Sequence, residues 1–247
     1  MSKDRSEPAP MPTTEPNRTQ QPATSSRAEI EAFLGQVGAL DPAVKASERG
    51  RLIFALDATM SRQPTWDQAR QLQAEMFREA AALGGLDLQL VYYRGLAECR
   101  ASGWIADPKR FGELMSRIEC RGGQTQIAKI LAHAWRENDR RKVAGLVFVG
   151  DAMEERLDKL CVGAGELALR GVPAFMFQEG YDPVCEQAFR EIARLTRGAY
   201  CRFQPGAAHE LGELLRAVAA YAAGGMKALA ALQARSPGAN KLIAQMK

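Results

Sequence analysis

Three short polar segments of this chain carry side-chain oxygens that could hold a metal ion. Asp57 follows the apolar run LIFAL, and two hydroxyl residues, Thr59 and Ser61, come after it at alternate positions. Thr125 closes the glycine-rich segment RGGQT, and Asp151 directly follows the apolar run GLVFVG. Two carboxylates and three hydroxyls are hard oxygen donors, which suit octahedral Mg²⁺ or Mn²⁺ better than zinc.

A simpler role in helix capping is open to these residues. Thr125 stands just before a predicted helix, and Asp151 and Glu154 have the spacing of a capping box. In the first segment that role belongs elsewhere, because Thr65 and Gln68 have capping-box spacing immediately before the next apolar stripe. The residues alone therefore leave both a metal site and a set of helix caps open.

The elements that must position these residues alternate between strand and helix. Apolar runs without charge are typical of strands buried on both faces, and the amphipathic stretches between them supply helical crossovers. This pattern predicts a doubly wound α/β fold with a mostly parallel sheet and helices on both faces. The six predicted strands span 52–56, 86–93, 99–105, 144–150, 172–178 and 199–203.

The order of the elements predicts where the polar segments lie. The strand at 99–105 follows the previous one too closely for a helical crossover, so we expect it to be an antiparallel edge strand. In doubly wound sheets, ligands bind beyond the carboxyl ends of the strands where the winding reverses. If the strands that end at Asp57 and before Asp151 are neighbours, both carboxylates face one crevice.

Over about residues 50–225 these motifs resemble a von Willebrand factor A-type (VWA) domain with a metal-ion-dependent adhesion site (MIDAS). That site has the pattern DxSxS on one loop, a Thr on the second and an Asp on the third, and the chain departs from it at Thr59. The resemblance implies a Rossmann-like fold and a VWA protein of the intracellular bacterial type. It also implies Mg²⁺ or Mn²⁺ held directly or nearly so by Thr59, Ser61 and Thr125, with Asp57 and Asp151 often acting through water.

The resemblance further implies a protein partner. A Glu or Asp carboxylate of that partner completes the coordination of the ion, so the domain would act as a metal-dependent interaction module. In intracellular members the partner is often an AAA+ ATPase or another multisubunit complex.

Two alternatives remain, a metal-assisted hydrolase and a metal-free scaffold. The enzyme reading has little support, because position 59 lacks the second carboxylate of haloacid-dehalogenase-like enzymes and neither His133 nor His209 has HExxH spacing. The segment GAGELA at 163–168 resembles a nucleotide-binding loop but falls in a predicted helix. We therefore expect a non-enzymatic protein.

Composition bounds the remaining classes. The 247 residues carry a net charge of +4 without a dense basic run, which does not favour nucleic-acid binding. The five cysteines include no CxxC pair, so the sequence indicates neither a disulfide framework nor a zinc site. No apolar stretch predicts a signal peptide or a membrane span, so we expect a cytoplasmic protein of undetermined oligomeric state. We expect a disordered tail (1–25), a lead-in helix and linker (26–50), the VWA-like domain (51–225) and a C-terminal helical extension (226–247).

Overall fold

Six strands form one mixed sheet in the computed structural model, which describes residues 49–62, 85–204 and 207–246. These residues belong to one compact unit, Ala46–Lys247. The strands are β1 (Gly50–Asp57), β2 (Leu86–Arg94), β3 (Glu98–Ala101), β4 (Gly145–Gly150), β5 (Ala174–Glu179) and β6 (Ala199–Phe203).

The strand order is β3-β2-β1-β4-β5-β6. All neighbouring pairs are parallel except β2 and β3, so the predicted antiparallel edge strand is confirmed. β3 ends earlier than predicted, at Ala101, because the hydroxyl of Ser102 then accepts a hydrogen bond from the backbone N–H of Leu90. Ile105 rejoins the sheet only through an isolated bridge to Leu88.

The described ranges contain six helices, of which the first four lie between strands and the last two follow β6. The helices are α1 (Pro108–Ser116), α2 (Ile127–Arg140), α3 (Leu157–Leu169), α4 (Pro183–Leu195), α5 (Ala208–Leu232) and α6 (Pro237–Ile243). α5 is kinked at Gly225, which has a positive φ of 66°. A single 3₁₀ turn at Met60–Arg62 follows β1.

Both faces of the sheet are covered by helices. One core lies under α1, α5 and α6, and the other lies under α2, α3 and α4. β1 and β4 occupy the centre and are almost entirely buried, which explains why their sequences are continuously apolar. The predicted doubly wound α/β class is confirmed.

Several predictions concern residues outside the described ranges. These are the tail at 1–25, most of the lead-in segment at 26–50 and the helix expected between Trp66 and Leu83, and the domain boundaries stay predictions. The described part of the C-terminal segment packs on β6, where the Gln245 side chain bonds both the backbone N–H and the C=O of Tyr200. None of the helices in the described ranges is long and apolar enough to cross a membrane.

Candidate metal centre

Three polar loops meet where the winding of the sheet reverses. The first loop follows β1 (58–62), the second precedes α2 (121–126) and the third follows β4 (151–156). β1 leads to β2 on one side, and the chain later returns to place β4 on the other side of β1. Asp57 is the last residue of β1, and Asp151 directly follows β4. The neighbour relation that the sequence argument required is therefore present, and it brings both carboxyl ends to one edge of the sheet.

The carboxylate of Asp57 is buried and held by two donors. Its Oδ1 accepts the backbone N–H of Thr59 at 2.8 Å, and its Oδ2 accepts the hydroxyl of Tyr93 at 2.8 Å. Burial raises the pKa of Asp57 and nearby Asp151 adds to the rise, whereas the hydrogen bonds from Thr59 and Tyr93 lower it. The two hydrogen bonds fix the orientation of the carboxylate.

Two hydroxyls face each other in the first loop. Thr59 Oγ1 and Ser61 Oγ lie 3.2 Å apart, with Thr59 buried and Ser61 exposed. Met60 between them is 60% exposed at the rim. This loop therefore offers two neutral oxygen donors beside the Asp57 carboxylate.

Thr125 does not cap helix α2. The N-cap position is Gln126, which makes no side-chain capping hydrogen bond. Glu155 instead accepts the backbone N–H groups of Ile127 and, at 3.1 Å, Ala128. Burial raises the pKa of Glu155, and these two backbone hydrogen bonds lower it.

The hydroxyl of Thr125 is engaged across the pocket by Glu154. The backbone N–H of Glu154 donates to Thr125 Oγ1 at 3.0 Å, and Glu154 Oε2 accepts the backbone N–H of Thr125 at 3.0 Å. This reciprocal pair joins the second loop to the third and fixes the Thr125 side chain. The capping role that the sequence left open for Thr125 is thus taken by another residue.

Asp151 is not a helix cap either. Helix α3 begins at Leu157 with Arg156 at its N-cap, so the capping box of Asp151 and Glu154 does not form. Oδ1 of Asp151 is buried and finds no hydrogen-bond partner among the described residues. An unsatisfied buried carboxylate oxygen is costly, and a bound cation would satisfy it.

The glycine-rich loop is held by close backbone contacts. A Cβ at Gly123 would lie 2.2 Å from the carbonyl oxygen of Gly95, so only glycine fits there. The backbone N–H of Gln124 donates to the same carbonyl at 3.2 Å, and that of Arg121 donates to Ala58 at 3.0 Å. These contacts anchor the second loop to the β2–β3 turn and to the first loop.

The three loops enclose a pocket of about 200 Å³. Four of the five predicted site residues line it. Asp151 does not, although its neighbour Ala152 does and the charge of Asp151 raises the pKa of Asp57. The described residues contain no group of three or more His, Cys, Asp or Glu side chains placed to hold a metal. The pocket lining is Asp57, Thr59, Met60, Ser61, Gly122, Gly123, Thr125, Ala152 and Glu154.

The donor set fits a hard divalent cation. It combines hydroxyls with carboxylates and includes no nitrogen or sulfur ligand, which agrees with Mg²⁺ or Mn²⁺ and disagrees with zinc. The buried, unpaired oxygen of Asp151 also favours a bound cation at this place. Metal binding itself stays a prediction.

Sequence reasoning missed the roles of Tyr93, Glu154 and Glu155. Their partners lie 36, 29 and 28 residues away, and no local spacing indicates them. The segment GAGELA lies inside α3, as predicted. His133 does not line the pocket, and its Nε2 forms a hydrogen bond of 2.8 Å with Oε1 of Gln89.

Comparisons with known proteins establish the class of fold. No family model and no curated protein matches the chain. The VWA domain of SpRpn10 superposes with a TM-score of 0.50 at 12% identity, over 64% of this chain and 89% of that one. The chain therefore has a VWA-like fold.

Two further solved structures share this fold. An alanine mutant of the PilB minor pilin from Streptococcus sanguinis gives a TM-score of 0.53 at 7% identity, over 70% of this chain and 61% of that one. Proximal thread matrix protein 1 from the mussel byssus gives 0.52 at 16% identity, over 79% and 53%. The chain thus spans less than two thirds of both proteins, and identities this low establish the fold alone.

Proposed function

We propose that this chain is a protein-recognition module that binds Mg²⁺ or Mn²⁺ and, through the ion, an acidic side chain of a partner. The residues that would hold the ion are Asp57, Thr59, Ser61, Thr125 and Asp151. The observation that carries this proposal is the buried, unpaired Oδ1 of Asp151 beside a pocket of hydroxyl and carboxylate oxygens. The VWA-like fold supports an interaction role.

The electrostatics of the pocket support the same proposal. Asp57 and Glu154 line the pocket, and Asp151 lies close enough to Asp57 for its charge to raise the pKa of that carboxyl. Like charges in a partly buried pocket repel one another, and a cation relieves that repulsion. When bound, the ion would supply positive charge and a coordination position for an anionic side chain.

The chain's own residues have distinct tasks in this proposal. Thr59 and Ser61 offer neutral oxygens, which leave more of the ion's charge to attract an anion than carboxylates would. Tyr93 and the backbone of Thr59 orient Asp57, and Glu154 orients the Thr125 hydroxyl. We further propose that the partner belongs to an AAA+ ATPase or another multisubunit complex, as the family resemblance implies.

No observation favours a hydrolase over this function. Among the residues described, no His or Lys lines the pocket, so the usual nitrogen bases are missing from its wall. The metal-free scaffold is the alternative against which the proposal is tested.

The test is Mn²⁺ binding by electron paramagnetic resonance, with Mg²⁺ competition, on the full chain. We expect wild type to bind one ion and both Ser61→Ala and Asp151→Asn to lose it. Ser116→Ala is the matched control, because Ser116 is exposed at the end of α1 and does not line the pocket. Absence of binding to wild type at millimolar Mn²⁺ would overturn the proposal.

A further inference from the structure

Glu154 lies in the pocket, although none of the five predicted ligand positions includes it. One of its oxygens, Oε2, is held by the backbone N–H of Thr125 at 3.0 Å. Glu154 is exposed, and its other oxygen, Oε1, accepts no hydrogen bond from the described part of the chain. The carboxylate is therefore anchored to the pocket wall by one oxygen and has the second available.

The anchor places Glu154 beside a predicted ligand. Two hydrogen bonds join Thr125 and Glu154. The backbone N–H of Thr125 donates to Oε2 of Glu154, and the backbone N–H of Glu154 donates to Oγ1 of Thr125. The carboxylate of Glu154 is thus kept next to the Thr125 hydroxyl and cannot move away without breaking a hydrogen bond. The second and third loops together present the Thr125 hydroxyl and the Glu154 carboxylate to the pocket.

The charge balance of the pocket adds a second argument. Asp57 and Asp151 would together offset the two positive charges of a divalent ion, and Glu154 lines the same pocket as Asp57. An incoming carboxylate would meet the negative charge of Glu154 at the pocket, and the repulsion between like charges disfavours its entry. This repulsion disappears when the carboxylate of Glu154 moves out of the pocket.

We infer that Glu154 is a carboxylate ligand of the ion supplied by the chain itself, at the position where a partner's acidic side chain would bind. This inference rests on the proposed function. Glu154 tightens metal binding in the absence of a partner and competes with the partner's carboxylate. Recognition then requires Glu154 to release the backbone N–H of Thr125.

The test compares wild type with Glu154→Gln by Mn²⁺ affinity and by water-proton relaxation of the Mn²⁺-loaded full chain. Glutamine keeps an oxygen that can accept the Thr125 N–H, so the loops retain their shape. Glu166→Gln is the matched control, because Glu166 is exposed on the second half of α3, outside the pocket. Acetate, added in place of chloride at constant ionic strength, serves as the carboxylate probe.

We expect Glu154→Gln to bind Mn²⁺ about tenfold more weakly, because affinity follows the number of charged ligands. We also expect the water-proton relaxation enhancement of Glu154→Gln to rise above that of wild type, because a water molecule replaces the lost carboxylate on the ion. Acetate should then lower this enhancement, at concentrations that leave the enhancement of wild type and Glu166→Gln unchanged.

Three results would overturn this inference. Wild-type affinity and relaxation in Glu154→Gln would show that Glu154 does not contact the ion, while leaving the proposed function intact. Weaker Mn²⁺ binding by Glu154→Gln without a rise in water-proton relaxation would show that Glu154 acts on the ion only through its charge at a distance. Failure of wild type to bind Mn²⁺ would remove the proposed function together with the inference.

Discussion

The hydroxyl of Tyr93 donates a hydrogen bond of 2.8 Å to Oδ2 of Asp57, and both residues are buried. The two residues are register partners on the parallel strands β1 and β2. Burial and the charge of Asp57 hold the pKa of Tyr93 well above its ordinary value, so Tyr93 keeps its proton and remains a donor. The contact joins the sheet core to the first loop of the candidate site.

Tyr93→Phe should lower the free energy of unfolding by about 1–3 kcal/mol, because it leaves a buried carboxylate oxygen without its donor. Urea denaturation with added chelator measures this change. Tyr92→Phe is the control, since the Tyr92 hydroxyl has no hydrogen bond among the described residues, and it should stay within about 0.5 kcal/mol of wild type. Equal losses in both variants would contradict a specific role for the contact.

Gly123→Ala should disrupt the glycine-rich loop, because the new methyl group would lie 2.2 Å from the Gly95 carbonyl oxygen. We expect a loss of stability of about 1–3 kcal/mol and weaker Mn²⁺ binding as Thr125 shifts. Gly103→Ala is the matched control, because no atom lies within 4 Å of a Cβ at that position and Gly103 does not line the pocket. Thermal unfolding and Mn²⁺ titration of both variants check the prediction, which fails if the two behave alike.

Asp151→Ala should separate stability from metal binding. In chelator the variant should be as stable as wild type, or more stable by about 1 kcal/mol, because it removes a buried oxygen that lacks a partner. If wild type binds Mg²⁺ as proposed, the ion should raise its melting temperature, and Asp151→Ala should lose that rise.

Asp57→Ala is the comparison for Asp151→Ala. That change removes the acceptor of two hydrogen bonds, so it should be destabilising even in chelator. A comparable loss of stability in Asp151→Ala would assign the Asp151 carboxylate a structural role instead.

The buried network around Glu137 should make stability depend on acidic pH. Burial raises the pKa of Glu137, but the hydrogen bond from Trp104 and the charges of His133, Arg140 and Arg51 outweigh it and lower the pKa below its ordinary value. A carboxyl with a lowered folded pKa stabilises the fold fully above its unfolded pKa, near 4.5, and loses that contribution as pH falls through the folded pKa.

Glu137→Gln checks this pH dependence. The variant should be less stable than wild type at neutral pH, and its stability should fall less steeply below about pH 4.5. Urea midpoints measured across that range for both proteins provide the comparison. Parallel curves would exclude Glu137 as a source of the acid sensitivity.

The sequence by itself determined the class of fold, and it predicted which loops would form the candidate site. Uninterrupted apolar runs such as LIFAL and GLVFVG predict strands buried on both faces, and the short connection before β3 predicts an antiparallel edge. These patterns are local, since the period of side-chain burial follows directly from the element that carries it. The position of Asp57 at a strand end, with Thr59 and Ser61 close behind, is equally local.

Only the tertiary structure decided which side chains meet. Capping spacing paired Asp151 with Glu154, whereas the folded chain pairs Glu154 with Thr125 and uses Glu155 to cap α2. Tyr93 reaches Asp57 because β1 and β2 align in one register. Hydrogen bonds across 28 to 36 residues depend on that register and on loop packing, which no short-range pattern of residue types encodes.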